Sequence, residues 1–134
     1  MKAKYLAPIL FMTIAACKKE SGGLLSDLQG TWELRSSDGG WTGHQEYAPR
    51  NGNTYSFSGA TYAHQIKTTD TTYEYSGTFD IYTGKPCDFA PEQTLIDFDH
   101  NLSPASFSLS GGELMIGTTE CIADGWSGTY RKIE

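Results

Sequence analysis

Ala105-Ser106-Phe107-Ser108-Leu109-Ser110-Gly111-Gly112-Glu113-Leu114-Met115-Ile116-Gly117 decides the fold class. Phe107 and Leu109 alternate with serines, Leu114 and Ile116 resume the alternation, and Gly111-Gly112 supplies the two adjacent positions at which a tight hairpin needs positive φ. The stretch reads as two antiparallel strands, each with one apolar face.

The same period of two recurs outward along the chain. Thr94–Asp99 alternates through Ile96 and Phe98, and Thr72–Tyr82 puts Tyr73, Tyr75, Phe79 and Ile81 on one side, with Gly77 permitting a bend. Ala60–Thr68 alternates through Tyr62, His64 and Ile66, and Asn53–Ser58 through Tyr55 and Phe57. Thr31–Arg35 and Trp126–Ile133 are the first and last strands. Thr83–Glu92, with Gly84, Pro86 and Pro91, is loop chemistry, as are His100–Pro104 and Cys121–Gly125. Ser36–Gly52 is a long loop carrying Trp41, His44 and Tyr47. Leu24, Leu25 and Leu28 have the spacing of one helical turn, which Gly30 stops. No later segment holds a helical period. The expected fold is all-β, about eight antiparallel strands preceded by a short helical turn. It is an up-and-down β-barrel or, alternatively, a β-sandwich; closure into a barrel would remove exposed edges.

At the other end of the chain, Lys2 and Lys4 give a basic start, Leu6–Ala16 is an apolar run too short for a permanent span, and Ile14-Ala15-Ala16-Cys17 ends it in small residues and a cysteine. This pattern resembles the signal and lipobox of bacterial lipoproteins. The resemblance implies cleavage after a signal peptide of residues 1–16, lipid on Cys17, and a lipid-anchored place in the bacterial cell envelope, the outer membrane being favoured. Residues 17–23, with Lys18-Lys19-Glu20-Ser21-Gly22-Gly23, read as a flexible tether, and residues 24–134 as one domain.

The chain has 10 Lys plus Arg against 16 Asp plus Glu, a net charge of -6. Loss of Lys2 and Lys4 with the signal makes it more acidic still. Such a surface repels phosphate backbones and anionic headgroups, which argues against nucleic acid and leaves the lipid as the membrane attachment. With Cys17 assigned to lipid, Cys87 and Cys121 remain, and export makes a disulfide between them the expectation, two buried thiols the alternative. The pairing raises a conflict of parity. In an up-and-down barrel the link carrying Cys87 and the link carrying Cys121 fall at opposite ends, unless Cys121 reaches back, the Cys87 segment crosses the barrel's side, or the strand count is off by one.

Gly30-Thr31-Trp32, after the helical turn and on the first strand, resembles the Gly-x-Trp signature of lipocalins, and Asp124-Gly125-Trp126-Ser127-Gly128-Thr129-Tyr130-Arg131-Lys132 is similar to the end of small bacterial lipoproteins with a lipocalin-like domain. The resemblance runs from Leu28 to the C-terminus. It implies a barrel closed at one end by Trp32 under a basic side chain of the last strand, Arg131 in preference to Lys132. It also implies a cup for a small apolar or amphipathic ligand, in a domain shorter than a typical lipocalin.

No motif for nucleophilic, phosphate-binding or zinc chemistry is present, and His44, His64 and His100 lie in separate segments with no second ligand at i+2 or i+4. No enzyme activity, metal or cofactor is expected. Asp97 and Asp99 alternate with Phe98, which places both on the face opposite to it. The remaining signal is an aromatic content of 13%. Tyr55, Tyr62, His64, Tyr73 and Tyr75 fall on strand faces that can line a pocket or fill it, and Trp41 and Tyr47 sit on the loop expected over the mouth. Two readings stay open: a barrel that holds a small ligand, and a solid barrel whose surface meets an envelope protein partner.

Overall fold

The computed structural model describes residues 20–100 and 103–134. The signal segment 1–16, Cys17 and the start of the tether lie outside the described residues. One helix, α1 (Glu20–Leu28), precedes β1 (Gly30–Gly39), β2 (Gln45–Glu46), β3 (Thr54–Ser58), β4 (Thr61–Lys67), β5 (Thr72–Gly84), β6 (Gln93–Phe98), β7 (Ala105–Ser110), β8 (Glu113–Gly117) and β9 (Trp126–Lys132). Each consecutive barrel strand pairs antiparallel with the next, and β1 pairs with β9, so eight strands close into an up-and-down barrel. Closure excludes the sandwich. The ninth strand, β2, pairs with β1 beyond this circuit, through Ser36–Glu46 and Ser37–Gln45, inside what reads in sequence as one long loop.

The β7–β8 hairpin turns at Gly111 and Gly112, both at positive φ (59° and 77°), as its sequence requires. Inward-facing Trp32, Leu34, Tyr55, Phe57, Tyr62, Phe79, Ile96, Phe107, Leu114, Ile116 and Tyr130 form one core cluster with Leu28 of the helix. α1 takes in Glu20–Gly23, a stretch that reads as tether by its paired glycines. Glycine disfavours a helix by about 1 kcal/mol per residue, and here the docking of Leu28, fully buried, works against that preference.

The helix closes one end of the barrel. The Trp32 indole Nε1–H donates to the Leu28 carbonyl at 2.7 Å, satisfying a helix-end acceptor, while the ring is buried. Gln29 ties the same corner to the β3–β4 turn, accepting from the Gly59 amide at 2.6 Å and donating to the Gly59 carbonyl at 3.3 Å. The basic side chain over Trp32 is Lys132, with Nζ 5.4 Å from the ring centroid and donating to the Asp27 carbonyl at 3.3 Å. Arg131 instead faces outward and pairs with Glu113 at 3.4 Å. The reason is alternation: Tyr130 points into the core, so Lys132 shares its face and Arg131 takes the other.

Leu95 and Ile96 are adjacent and both fully buried, which a strand with one wet face cannot achieve. Ile96 belongs to the core cluster and Leu95 does not. Leu95 therefore faces the outer wall, and the chain between Gly84 and Gln93 folds back over it, burying Ala90 as well. Gln93, on the same face, accepts from Ser106 Oγ at 3.1 Å and donates to Glu120 Oε1 of the β8–β9 loop at 2.6 Å. Along this wall Cys87 meets Cys121, and the two are disulfide-bonded with a Cα separation of 6.2 Å. The parity conflict resolves by the second route: the Cys87 segment crosses the barrel's side.

Glu33 also lies outward on β1 but is only 4% exposed. Burial works against its charge, yet the Arg35 guanidinium and the amides of Arg50 and Gly52 outweigh that and hold the carboxyl below its ordinary value. A carboxyl depressed by folding stabilises the native state above its unfolded pKa, and the contribution is lost as pH falls through the folded value. Glu33→Gln is expected to cost about 1–3 kcal/mol at pH 7 in urea unfolding, and to lose less stability than the wild type on going to pH 3. Equal pH slopes would show that Glu33 carries none of the acid sensitivity.

Candidate ligand-binding site

Away from α1, the barrel interior is organised around Tyr55 on β3. Its ring stacks on His64 of β4 at 3.8 Å and 8°, meets Tyr130 of β9 edge-on at 5.3 Å, and lies 5.6 Å from Phe98 of β6. These contacts follow from register: Tyr55 is directly opposite His64, and alternation turns Tyr130 inward from β9. Two depressions open around this aromatic cluster. One, of about 380 Å³, is lined by Tyr55, Phe98, Ala105, Ile116, Ile122 and Trp126, with Pro86 and Cys121 at its edge. The other, of about 300 Å³, is lined by Leu34, Tyr47, His64, Ile66, Trp126 and Tyr130, with Asn53 and Lys67. Trp126, exposed at the start of β9, borders both. Their volumes lie at the small end of the range for small-molecule sites.

The imidazole and phenols of the cluster are uncharged. Burial lowers the His64 imidazole to about 4, so it is neutral at pH 7. Burial raises the Tyr55 phenol, with the neighbouring Tyr62 adding to it, and raises the Tyr130 phenol, with Tyr55 and Tyr47 adding to it; both keep their protons. Tyr62 is raised to about 12 by burial and by Asp99, whose carboxylate accepts its hydroxyl at 2.6 Å.

Of the residues that sequence singled out, Tyr55 and His64 form the centre, and Tyr47 lines one depression while hydrogen-bonding Ser37 and Gln45. Tyr62 packs against Phe98 at 4.6 Å and is committed to Asp99, so it fills the core. Asp99 does not continue the alternation: at φ 58° it leaves the strand, turning its carboxylate back to Tyr62 and to the Thr78 amide at 2.9 Å. Tyr73 and Tyr75 share the inward parity of Phe79 but are half exposed, because β6 pairs with β5 only from Phe79 onward and leaves the first half of β5 without that neighbour. Trp41 does not cover the mouth. It projects fully into solvent at the tip beyond β1, since the Asp38–Gly39 end of β1 is held against β9. Gly30, Trp32 and Arg131 belong to the closed end. Trp126 and Lys67 are additions. Trp126 was legible, since alternation with Gly128 and Tyr130 turns it inward, whereas Lys67, on the opposite face from Ile66 by alternation, lines the smaller depression with its alkyl stem packed along Gly52.

No protein-family model, curated protein or solved structure matches the chain, so the functional reading rests on the site's own geometry.

Proposed function

We propose that this chain is a non-enzymatic lipoprotein of the bacterial cell envelope, anchored through lipid on Cys17, whose lipocalin-like barrel binds a small apolar or amphipathic molecule at its mouth. The observation that carries the binding reading is the pair of depressions around Tyr55, Tyr130 and Trp126, where the aromatic core stops short of filling the barrel. The anchor reading rests on the basic, apolar and small-residue order of Met1–Cys17. The alternative, a protein partner in the envelope, draws on Trp41 and Phe89, 102% and 76% exposed.

All core residues lie between Leu28 and Tyr130, so a chain beginning at Lys18 carries the whole fold. Titrated with naphthalene, this soluble form should show saturable quenching of tryptophan emission, and Trp126→Phe should remove most of it. Quenching absent, or unchanged in the variant, would contradict binding at the mouth. Mass spectrometry of the membrane-extracted protein tests the anchor: a mature N-terminus at Cys17 carrying acyl mass is expected, and an unmodified Met1 would overturn it.

A further inference from the structure

Tyr55 and Tyr130 are 9% and 2% exposed, and among the described residues neither hydroxyl makes a hydrogen bond. A sealed, unpartnered phenol is costly. Among the described residues the one sealed side-chain polar atom without a partner is Asp97 Oδ1, on another strand face, so both hydroxyls must keep access to the voids they border. Two buried tyrosines, with their protons held on, thus border the depressions without a hydrogen-bond partner among the described residues, beside an imidazole that also has none. A ligand that satisfies them must accept hydrogen bonds.

Charge narrows the class further. Neither depression is lined by Asp or Glu, and the single formal charge on either lining is Lys67, which is in no ion pair among the described residues. In a chain with a 16 to 10 excess of acidic over basic residues, two linings without carboxylates, one of them carrying Lys67, favour an anionic head and disfavour a cationic one. The walls supply flat apolar faces: Trp126 across both depressions, and Tyr55 within the aromatic cluster. A site of about 300 Å³ suits a compact ring system better than a long acyl chain.

We infer that the ligand is a small aromatic carboxylic acid, its ring against Trp126 and its carboxylate accepting from Tyr130, within reach of His64 and Lys67. This inference rests on the binding reading above and specifies its chemistry. Binding would order the Lys67 side chain and satisfy the Tyr130 hydroxyl, with no covalent step.

Calorimetric titration of the chain beginning at Lys18 with three probes of one ring system separates the two levels: naphthoate, naphthalene and naphthylmethylammonium. Naphthoate should bind at least about tenfold more tightly than the ammonium probe, the scale of a charge-assisted hydrogen bond. Tyr130→Phe should weaken naphthoate about tenfold and naphthalene by much less, the difference between the two probes being the readout. Lys67→Met, at an exposed position, should weaken naphthoate and flatten its salt dependence, which keeps the test decisive if Tyr130→Phe fails to fold. Equal binding of all three probes, or naphthoate binding indifferent to both variants, would overturn the carboxylate inference while leaving an apolar site standing. Failure of all three to bind would remove the site itself.

Discussion

Trp32→Ala is expected to lower the stability of the domain by about 3–5 kcal/mol, the effect of truncating a large buried aromatic. The ring is 2% exposed, and its loss opens a cavity between α1 and the barrel floor. It also removes the indole donor from the Leu28 carbonyl and the aromatic face beneath Lys132. Each of these holds the helix, so α1 should detach before the barrel unfolds, and amide exchange in Leu24–Leu28 should rise towards the unprotected rate. Trp32→Phe keeps much of the packing but not the donor, and should fall between the two. Urea unfolding decides: a loss below about 1 kcal/mol for the alanine variant would mean that Trp32 does not organise the closed end.

Replacing both Cys87 and Cys121 by serine is expected to cost about 3–4 kcal/mol, from the loop-closure entropy that the bond removes from the unfolded chain. The disulfide spans 34 residues and fastens the β5–β6 loop to the β8–β9 loop on the outer wall. Its loss should therefore act locally as well. Leu95 and Ala90 lose their cover, and Ile122, which lines the larger depression, loses its support. Mass spectrometry of the unreduced protein provides the direct check, with no free thiol at Cys87 or Cys121; two free thiols would contradict both the bond and the oxidising compartment read from Met1–Cys17.

The barrel was legible because most of its strands keep one wet face. Phe107, Leu109, Leu114 and Ile116 alternate so regularly that their hairpin follows from sequence alone, and closure is the economical way to hide the edges. Legibility failed where a strand is covered on both sides. Leu95 and Ile96 break the alternation, and only the folded Cys87 loop explains why both are buried. The identity of the residue over Trp32 was available in principle: reading alternation back from Tyr130 selects Lys132, whereas choosing arginine by its chemistry selects the wrong face. The site divides in the same way. Tyr55 and His64 follow from strand parity, but the outward turn of Trp41 and the commitment of Tyr62 to Asp99 depend on a hairpin tip and on a positive-φ residue, neither of which has a periodic signal.

The central claim is that the open end of the barrel holds a small molecule between Tyr55, Tyr130 and Trp126. Its most direct test is a two-dimensional NMR titration of the soluble chain with naphthoate, following the aromatic side-chain resonances and backbone amides. The account predicts saturable shifts concentrated at Tyr55, His64, Tyr130 and Trp126, with Trp32 at the closed end and Trp41 at the solvent tip unmoved. Shifts centred on Trp41 or Phe89, or no saturable shift at any concentration reached, would contradict it.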